Sequence, residues 1–229
     1  MTLRAVLFDF SGTLFRLEEE DSWFAGMELI SDDGRSAVDA HAQAELMERL
    51  THPTGRSVAM TEEAYQAWLN RDLGPALHRE AYLHVLRESG LSDNHAESLY
   101  GRVVDPHSWT PYPDTVEVLR SLRTHGLGTA VVSNIAFDIR PAFRAVAADA
   151  DEFVLSFEVG AVKPDPRIFE ITLQRLGVAP GEAVMVGDSE ENDGAARDVG
   201  CDFILVGPLP VAERPTGLID ALRDRGITV

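Results

Sequence analysis

Polar side chains stand at or just after the ends of several short apolar runs in this sequence. A carboxylate can act as a nucleophile, as an acid or base, or as a ligand of a hard cation, and a hydroxyl or a lysine can hold an anionic oxygen. Taken singly, each of these residues is more often a turn residue or a helix cap. The candidates are Asp9 and Ser11, then Ser133 and Asn134, then Lys163, and finally Asp188 and Asp193.

The second half of the chain alternates between apolar and amphipathic segments. Such alternation predicts an α/β fold, a Rossmann-like parallel sheet covered by helices on both faces. In such a sheet, ligands bind beyond the carboxyl ends of the strands, so the candidate residues should converge on one crevice. The predicted strands are 5–10, 129–132, 153–155, 183–186 and 203–206, and the predicted helices are 114–125, 138–147, 166–176 and 193–199.

A segment of different character separates the first predicted strand from the others. Residues 15–104 show helical periodicity, for example over 37–50 and 64–69, and glycine and proline residues punctuate them. This pattern predicts an inserted α-helical cap domain of four or five helices. The predicted domains are therefore a core of residues 1–14 plus 108–229 and a cap of residues 15–107.

Charge and composition narrow the classes of partner. The formal net charge of -18 disfavours binding to nucleic acid or to an anionic membrane. We expect no membrane-spanning segment and no signal peptide, since the apolar runs are too short. The single cysteine, Cys201, fits a reducing compartment and reads as a small buried residue at a strand start. These features predict a cytoplasmic protein, either a monomer or a homodimer.

Lysine is nearly absent from the chain. Of 20 basic residues only Lys163 is a lysine, and the others are arginines. A general bias toward arginine explains most of this usage. Under that bias, Lys163 is a candidate for a position where a compact ammonium group is needed and a guanidinium does not fit.

Together these segments resemble the haloacid dehalogenase-like hydrolase superfamily, with a helical cap inserted after the first motif. Residues 9–14, Asp-Phe-Ser-Gly-Thr-Leu, resemble the first motif of that family, in which the third residue is normally aspartate. Ser133-Asn134 resembles the second motif. Residues 163–166, Lys-Pro-Asp-Pro, resemble the third motif, and residues 187–193 resemble the fourth.

The resemblance implies a role for each of these residues. Asp9 would be the nucleophile and would form an aspartyl-phosphate. Ser133 and the backbone N–H of Asn134 would bind the phosphoryl group, and Lys163 would contact both that group and the nucleophile. The implied cofactor is Mg²⁺ and the implied partner is a small phosphorylated substrate. The implied metal ligands are Asp9, the backbone carbonyl of Ser11 and Asp188, with Asp193 supporting them from behind or binding the ion through a water.

Ser11 departs from the family pattern. It replaces the aspartate that protonates the leaving alkoxide and then activates water, and loss of such a group costs about 10²–10⁴-fold in rate. The first hypothesis is therefore a phosphohydrolase whose leaving group needs little help, or whose acid comes from the cap or from the substrate. Candidate acids directly after the first motif are Glu18, Glu19, Glu20 and Asp21.

Three other hypotheses remain. A phosphonate hydrolase would need a cap lysine, and the predicted cap has none. A dehalogenase would need neither the acid nor a metal, but its fourth motif lacks the first aspartate, here Asp188. A non-catalytic phosphate-binding protein would keep the fold and the site without turnover. Cap aromatics such as Tyr82 and Trp68 could line the pocket, although they are more typical of a cap core.

Overall fold

A computed structural model describes residues 2–18, 61–89 and 91–229. Five strands form one parallel sheet, which confirms the predicted fold class. The strands are β1 (Ala5–Phe8), β4 (Gly128–Ser133), β5 (Glu152–Leu155), β6 (Ala183–Gly187) and β7 (Asp202–Leu205). Their order in the sheet is β5-β4-β1-β6-β7, so the first strand in sequence lies at the centre, between β4 and β6.

Helices cover the sheet on both faces, as the alternating pattern predicts. They are α4 (Thr115–Thr124), α5 (Arg140–Ala145), α6 (Ser156–Val159), α7 (Pro166–Leu176) and α8 (Gly217–Asp224). The helix predicted over 193–199 is instead a 3₁₀ helix, Gly194–Val199. The Ala196 N–H donates to the Asp193 carbonyl three residues earlier, which is the hydrogen-bond spacing of a 3₁₀ helix.

The apolar residues of β1 divide between two cores. Val6 and Phe8 pack into the cluster on one face of the sheet, whereas Ala5 and Leu7 pack into the cluster on the other. Successive side chains of a strand point to opposite faces, so a strand buried on both sides must be apolar throughout. This burial fixes the position of Asp9 directly after β1.

A helical segment with its own core follows the first motif. It contains α1 (Glu62–Leu69), the 3₁₀ helix Arg71–Leu73, α2 (Pro75–Glu88) and α3 (Asp93–Val104). Its apolar cluster includes Trp68 and Tyr82. The periodic stretch predicted at 37–50 lies outside the described residues.

A two-stranded antiparallel ribbon joins this segment to the sheet domain. β2 (Phe15–Leu17) pairs with β3 (Trp109–Pro111), with Arg16 opposite Thr110. Neither strand could be predicted from the sequence, since three residues are too few to show a period. The ribbon lies at the predicted division between core and cap. We propose the same division here.

The sequence led us to expect a buried cysteine and no membrane-spanning segment. Cys201 is buried and precedes β7, as expected for a small packing residue, and burial raises the pKa of its thiol to about 11. Across residues 2–18, 61–89 and 91–229, no helix combines the length and the apolar character needed to cross a bilayer.

Candidate active site

The carboxyl ends of the three central strands open into one cavity of about 190 Å³. β4, β1 and β6 are parallel neighbours, so the residues at their ends share one edge of the sheet. The structure places every predicted site residue at this cavity. The residues concerned are Asp9, Ser11, Ser133, Asn134, Lys163, Asp188 and Asp193.

Lys163 joins two of the acidic residues. Its Nζ donates to Asp9 Oδ1 at 2.7 Å and to Asp193 Oδ1 at 2.6 Å, and all three side chains are buried. Burial favours the uncharged amine, but the two carboxylates outweigh it and raise the pKa of Lys163 above its ordinary value. Lys163 is therefore a permanent cation beside Asp9.

Burial has the opposite effect on Asp9. It raises the pKa of this carboxyl from 3.8 to about 6, although the ammonium of Lys163 opposes the shift and the charge of Asp193 adds to it. Above that pH Asp9 is ionised, as a carboxylate nucleophile must be. The ion pair with Lys163 holds Asp9 Oδ1 in place and leaves its other oxygen for chemistry or for a metal.

Asp188 completes an acidic cluster. Oxygen atoms of Asp9, Asp188 and Asp193 lie within 4.8 Å of one another. Burial and the charges of Asp9 and Asp193 raise the pKa of Asp188 to about 8. Three carboxylates with one ammonium carry excess negative charge, which a divalent cation would neutralise. A set of hard oxygen donors suits Mg²⁺, so these residues fit the expected ion.

Two glycines allow the acidic side chains to approach. Gly12 has a φ of +77°, and a Cβ there would collide with the carboxylate of Asp188. A Cβ on Gly187, the last residue of β6, would collide with the carboxylate of Asp193. Each glycine of these motifs thus makes room for an acidic side chain from the fourth motif.

The raised pKa of Asp188 predicts an effect on stability. A carboxyl with a pKa of 3.8 unfolded and about 8 folded binds more protons in the folded state, so the free energy of unfolding falls as pH rises through this window. Asp188→Asn removes that effect. At pH 8 without metal, we expect the melting temperature to rise by about 2–4 °C for each kcal/mol recovered.

Thermal melts with EDTA and with Mg²⁺ check this prediction. Mg²⁺ should stabilise the unmodified protein and have little effect on Asp188→Asn. The exposed Asp198, replaced by asparagine, is the matched control and should change neither curve. A lower melting temperature for metal-free Asp188→Asn would contradict this prediction. It would mean that repulsion among the three carboxylates does not destabilise the metal-free protein.

Asn134 has a contact that the sequence analysis missed. Its side-chain Nδ2 donates to the Lys163 carbonyl at 2.8 Å, and its Oδ1 accepts from the Lys163 backbone N–H at 2.6 Å. The side chain therefore fixes the backbone that carries Lys163. The backbone N–H of Asn134, expected to bind phosphate, is not engaged by this pair. Spacing alone could not show a pairing across 29 residues.

Arg214 contacts the turn after Asp9, a role that the sequence did not indicate. Its guanidinium donates to the carbonyls of Gly12, at 2.8 Å, and Thr13, and lies over the Tyr112 ring. Arg214, which comes from the C-terminal part of the chain, therefore stabilises the turn that follows Asp9. No local motif marks Arg214, which is one of 19 arginines.

The helical segment contributes residues to the same cavity. Arg71 and Asp72 come from the 3₁₀ helix between α1 and α2, His78 and Tyr82 come from α2, and Val103 comes from α3. Of the aromatics considered earlier, Tyr82 lines the cavity and Trp68 packs in the helical core. Arg71 and Asp72 were missed, and their only sequence signal is a polar interruption between two amphipathic helices.

Two described charged residues near the first motif, Arg16 and Glu18, are not among the residues that line the cavity. Glu18 accepts a hydrogen bond from the Val211 backbone N–H at 2.7 Å. Arg16 donates to the Pro208 carbonyl instead. Glu19, Glu20 and Asp21 lie outside the described residues.

Comparisons with known proteins agree with this architecture. Residues 3–200 match the haloacid dehalogenase-like hydrolase family. The chain is 35% identical to the phosphoserine phosphatase of Thermus thermophilus, over 57% of its own length and 52% of that protein. It is 30% identical to the glyceraldehyde 3-phosphate phosphatase of Methanopyrus kandleri, over 83% of its length and 78% of that protein.

A solved dehalogenase structure shares the fold. It superposes with a TM-score of 0.64 at 23% identity, covering 90% of this chain and 85% of that one. At that identity the likeness concerns the fold alone. The match to the Thermus phosphatase spans about half of that protein's length.

Proposed function

Because the chain belongs to the haloacid dehalogenase-like hydrolase family, we propose that it is a Mg²⁺-dependent phosphohydrolase acting through an aspartyl-phosphate on Asp9. Its substrate is a small phosphorylated molecule. The observation that carries the proposal is the buried Asp9 carboxylate, fixed by Lys163 beside two further carboxylates at the strand ends. The named phosphatases among its relatives support it.

Each site residue has its own role in the two steps of phosphoryl transfer. An Asp9 oxygen attacks phosphorus, and the first product leaves as the aspartyl-phosphate forms. Water then attacks phosphorus and releases phosphate. Ser133 and the Asn134 backbone N–H hold a phosphoryl oxygen, and Lys163 neutralises charge on the transferring group.

The acidic cluster would hold the metal through Asp9, Asp188, Asp193 and the Ser11 carbonyl. When bound, Mg²⁺ supplies positive charge that screens Asp9 from the anionic substrate. The acidic cluster also weighs against a dehalogenase, because a haloacid anion would meet it without compensation.

Acetyl phosphate tests this proposal directly, because acetate is a good leaving group that needs no acid from the protein. We expect Mg²⁺-dependent phosphate release that EDTA stops. The matched control is Asp198→Asn, which should release phosphate at the rate of the unmodified chain. No turnover, with phosphate and Mg²⁺ still bound, would indicate a binding protein. Metal-independent halide release from a 2-haloacid would indicate a dehalogenase.

A further inference from the structure

The cavity holds one carboxyl group that phosphoryl transfer to Asp9 leaves unused. Among the described residues that line it, the carboxylates are Asp9, Asp72, Asp188 and Asp193. Three of them form the acidic cluster. Asp72 is the fourth, and it comes from the helical segment. Ser11, which stands where an acid/base aspartate would be expected, lines the same cavity.

A buried hydroxyl ties Asp72 to the sheet domain. Ser156 Oγ donates to the Asp72 carbonyl at 2.6 Å and accepts from the Ile135 backbone N–H at 2.9 Å. Ile135 directly follows the phosphate-binding candidates Ser133 and Asn134. One serine therefore holds the Asp72 backbone against the loop that should bind the phosphoryl group.

Arg71 and His78 each place a nitrogen atom close to the Asp72 carboxyl. Its oxygens lie 3.5 Å from Arg71 Nη2 and 3.9 Å from His78 Nε2, and the residue is 7% exposed. Burial raises the pKa of this carboxyl, while the charges of Arg71 and Lys163 oppose the shift. Asp72 lines the same cavity as Lys163 and the nucleophile Asp9.

Other groups in the cavity suit proton transfer less well. Burial lowers the pKa of His78 to about 3, so its imidazole is neutral and carries no proton to donate as a cation. Burial raises the pKa of Tyr82 to about 12, which makes its phenol a weak acid. Both side chains are also fixed by stacking on each other, with ring centroids 4.2 Å apart.

We propose that Asp72 is the catalytic acid and base that Ser11 cannot be, an inference that rests on the proposed phosphohydrolase function. As Asp9 forms its bond to phosphorus and the bond to the alkoxide breaks, the Asp72 proton passes to the alkoxide and an alcohol leaves. When water then bonds to phosphorus and the bond to Asp9 breaks, a proton of that water returns to Asp72.

A comparison of two substrates in single turnovers tests this role. Asp72→Asn should slow release of ethanol from ethyl phosphate by about 10²–10⁴-fold, the contribution typical of a general acid. Acetate release from acetyl phosphate should keep its rate, because acetate needs no proton to leave. Adding Ser11→Asp to Asp72→Asn should restore much of the ethanol release.

Glu80→Gln is the matched control, since Glu80 is exposed on α2 of the same helical segment. Asp72→Ser provides a second acid-free variant, and unchanged acetate release reports that each variant is folded. Equal slowing with both substrates, or no slowing with either, would overturn the role of Asp72. So would an unmodified protein that releases acetate but no ethanol. Failure to release acetate would refute the proposed function itself.

Discussion

Replacing Asp9 with asparagine should abolish phosphate release from acetyl phosphate. We expect a loss on the order of 10⁶-fold in kcat, the scale produced by removing a covalent nucleophile. The amide has the shape of the carboxylate but cannot form the acyl-phosphate bond. Lys163 also donates to Asp193, and we expect that hydrogen bond to keep the ammonium in place in the variant.

A trapped intermediate gives a second readout for Asp9. With labelled acetyl phosphate, the unmodified protein should acquire a phosphate label that hydroxylamine removes, and Asp9→Asn should acquire none. Asp198→Asn, on the exposed surface of the same domain, should behave as the unmodified chain does. A label that persists in Asp9→Asn would place the nucleophile elsewhere.

The stability of Asp9→Asn separates a chemical defect from a folding defect. Burial raises the pKa of Asp9 to about 6, so its charge is unfavourable at neutral pH despite Lys163. Removing that charge should leave the melting temperature of the metal-free protein equal or higher. A large fall would mean that the Asp9–Lys163 ion pair stabilises the fold more than its desolvation costs.

The strands could be predicted because their signal is local. β1, β4 and β6 are buried on both faces, so β1 and β6 are unbroken apolar runs and β4 has an apolar centre, residues 130–132. Chain order and the rule for parallel sheets then placed Asp9, Ser133 and Asp188 at one edge. Prediction worked for these residues because the backbone alone determines where they stand.

The contacts between distant segments could not be predicted in the same way. Asn134 was assigned to phosphate through its backbone, and nothing near it in sequence indicates that its side chain holds Lys163. Arg214 reaches Gly12 across 202 positions. Asp72 faces the cavity only because the helical segment folds back onto the sheet domain. Such pairings depend on tertiary packing, which periodicity does not report.

Lys163→Arg should inactivate the protein even though it keeps the charge. Lys163 Nζ lies 2.7 Å from Asp9 and 2.6 Å from Asp193, in a site where its side chain is 3% exposed. A planar guanidinium is larger and cannot place one nitrogen between both carboxylates without displacing them. We expect kcat to fall by about 10²–10³-fold, the loss typical of removing one electrostatic stabiliser.

Lys163→Met separates the role of charge from that of shape. It leaves buried carboxylates without their cation, which should lower the free energy of unfolding by about 3–5 kcal/mol. Lys163→Arg should cost less stability, yet lose comparable activity. The control is Arg167→Lys, the opposite substitution at an exposed residue nearby in the chain. It should change neither kcat nor the free energy of unfolding. An active Lys163→Arg would show that position 163 needs only a positive charge, and that the single lysine of the chain reflects composition alone.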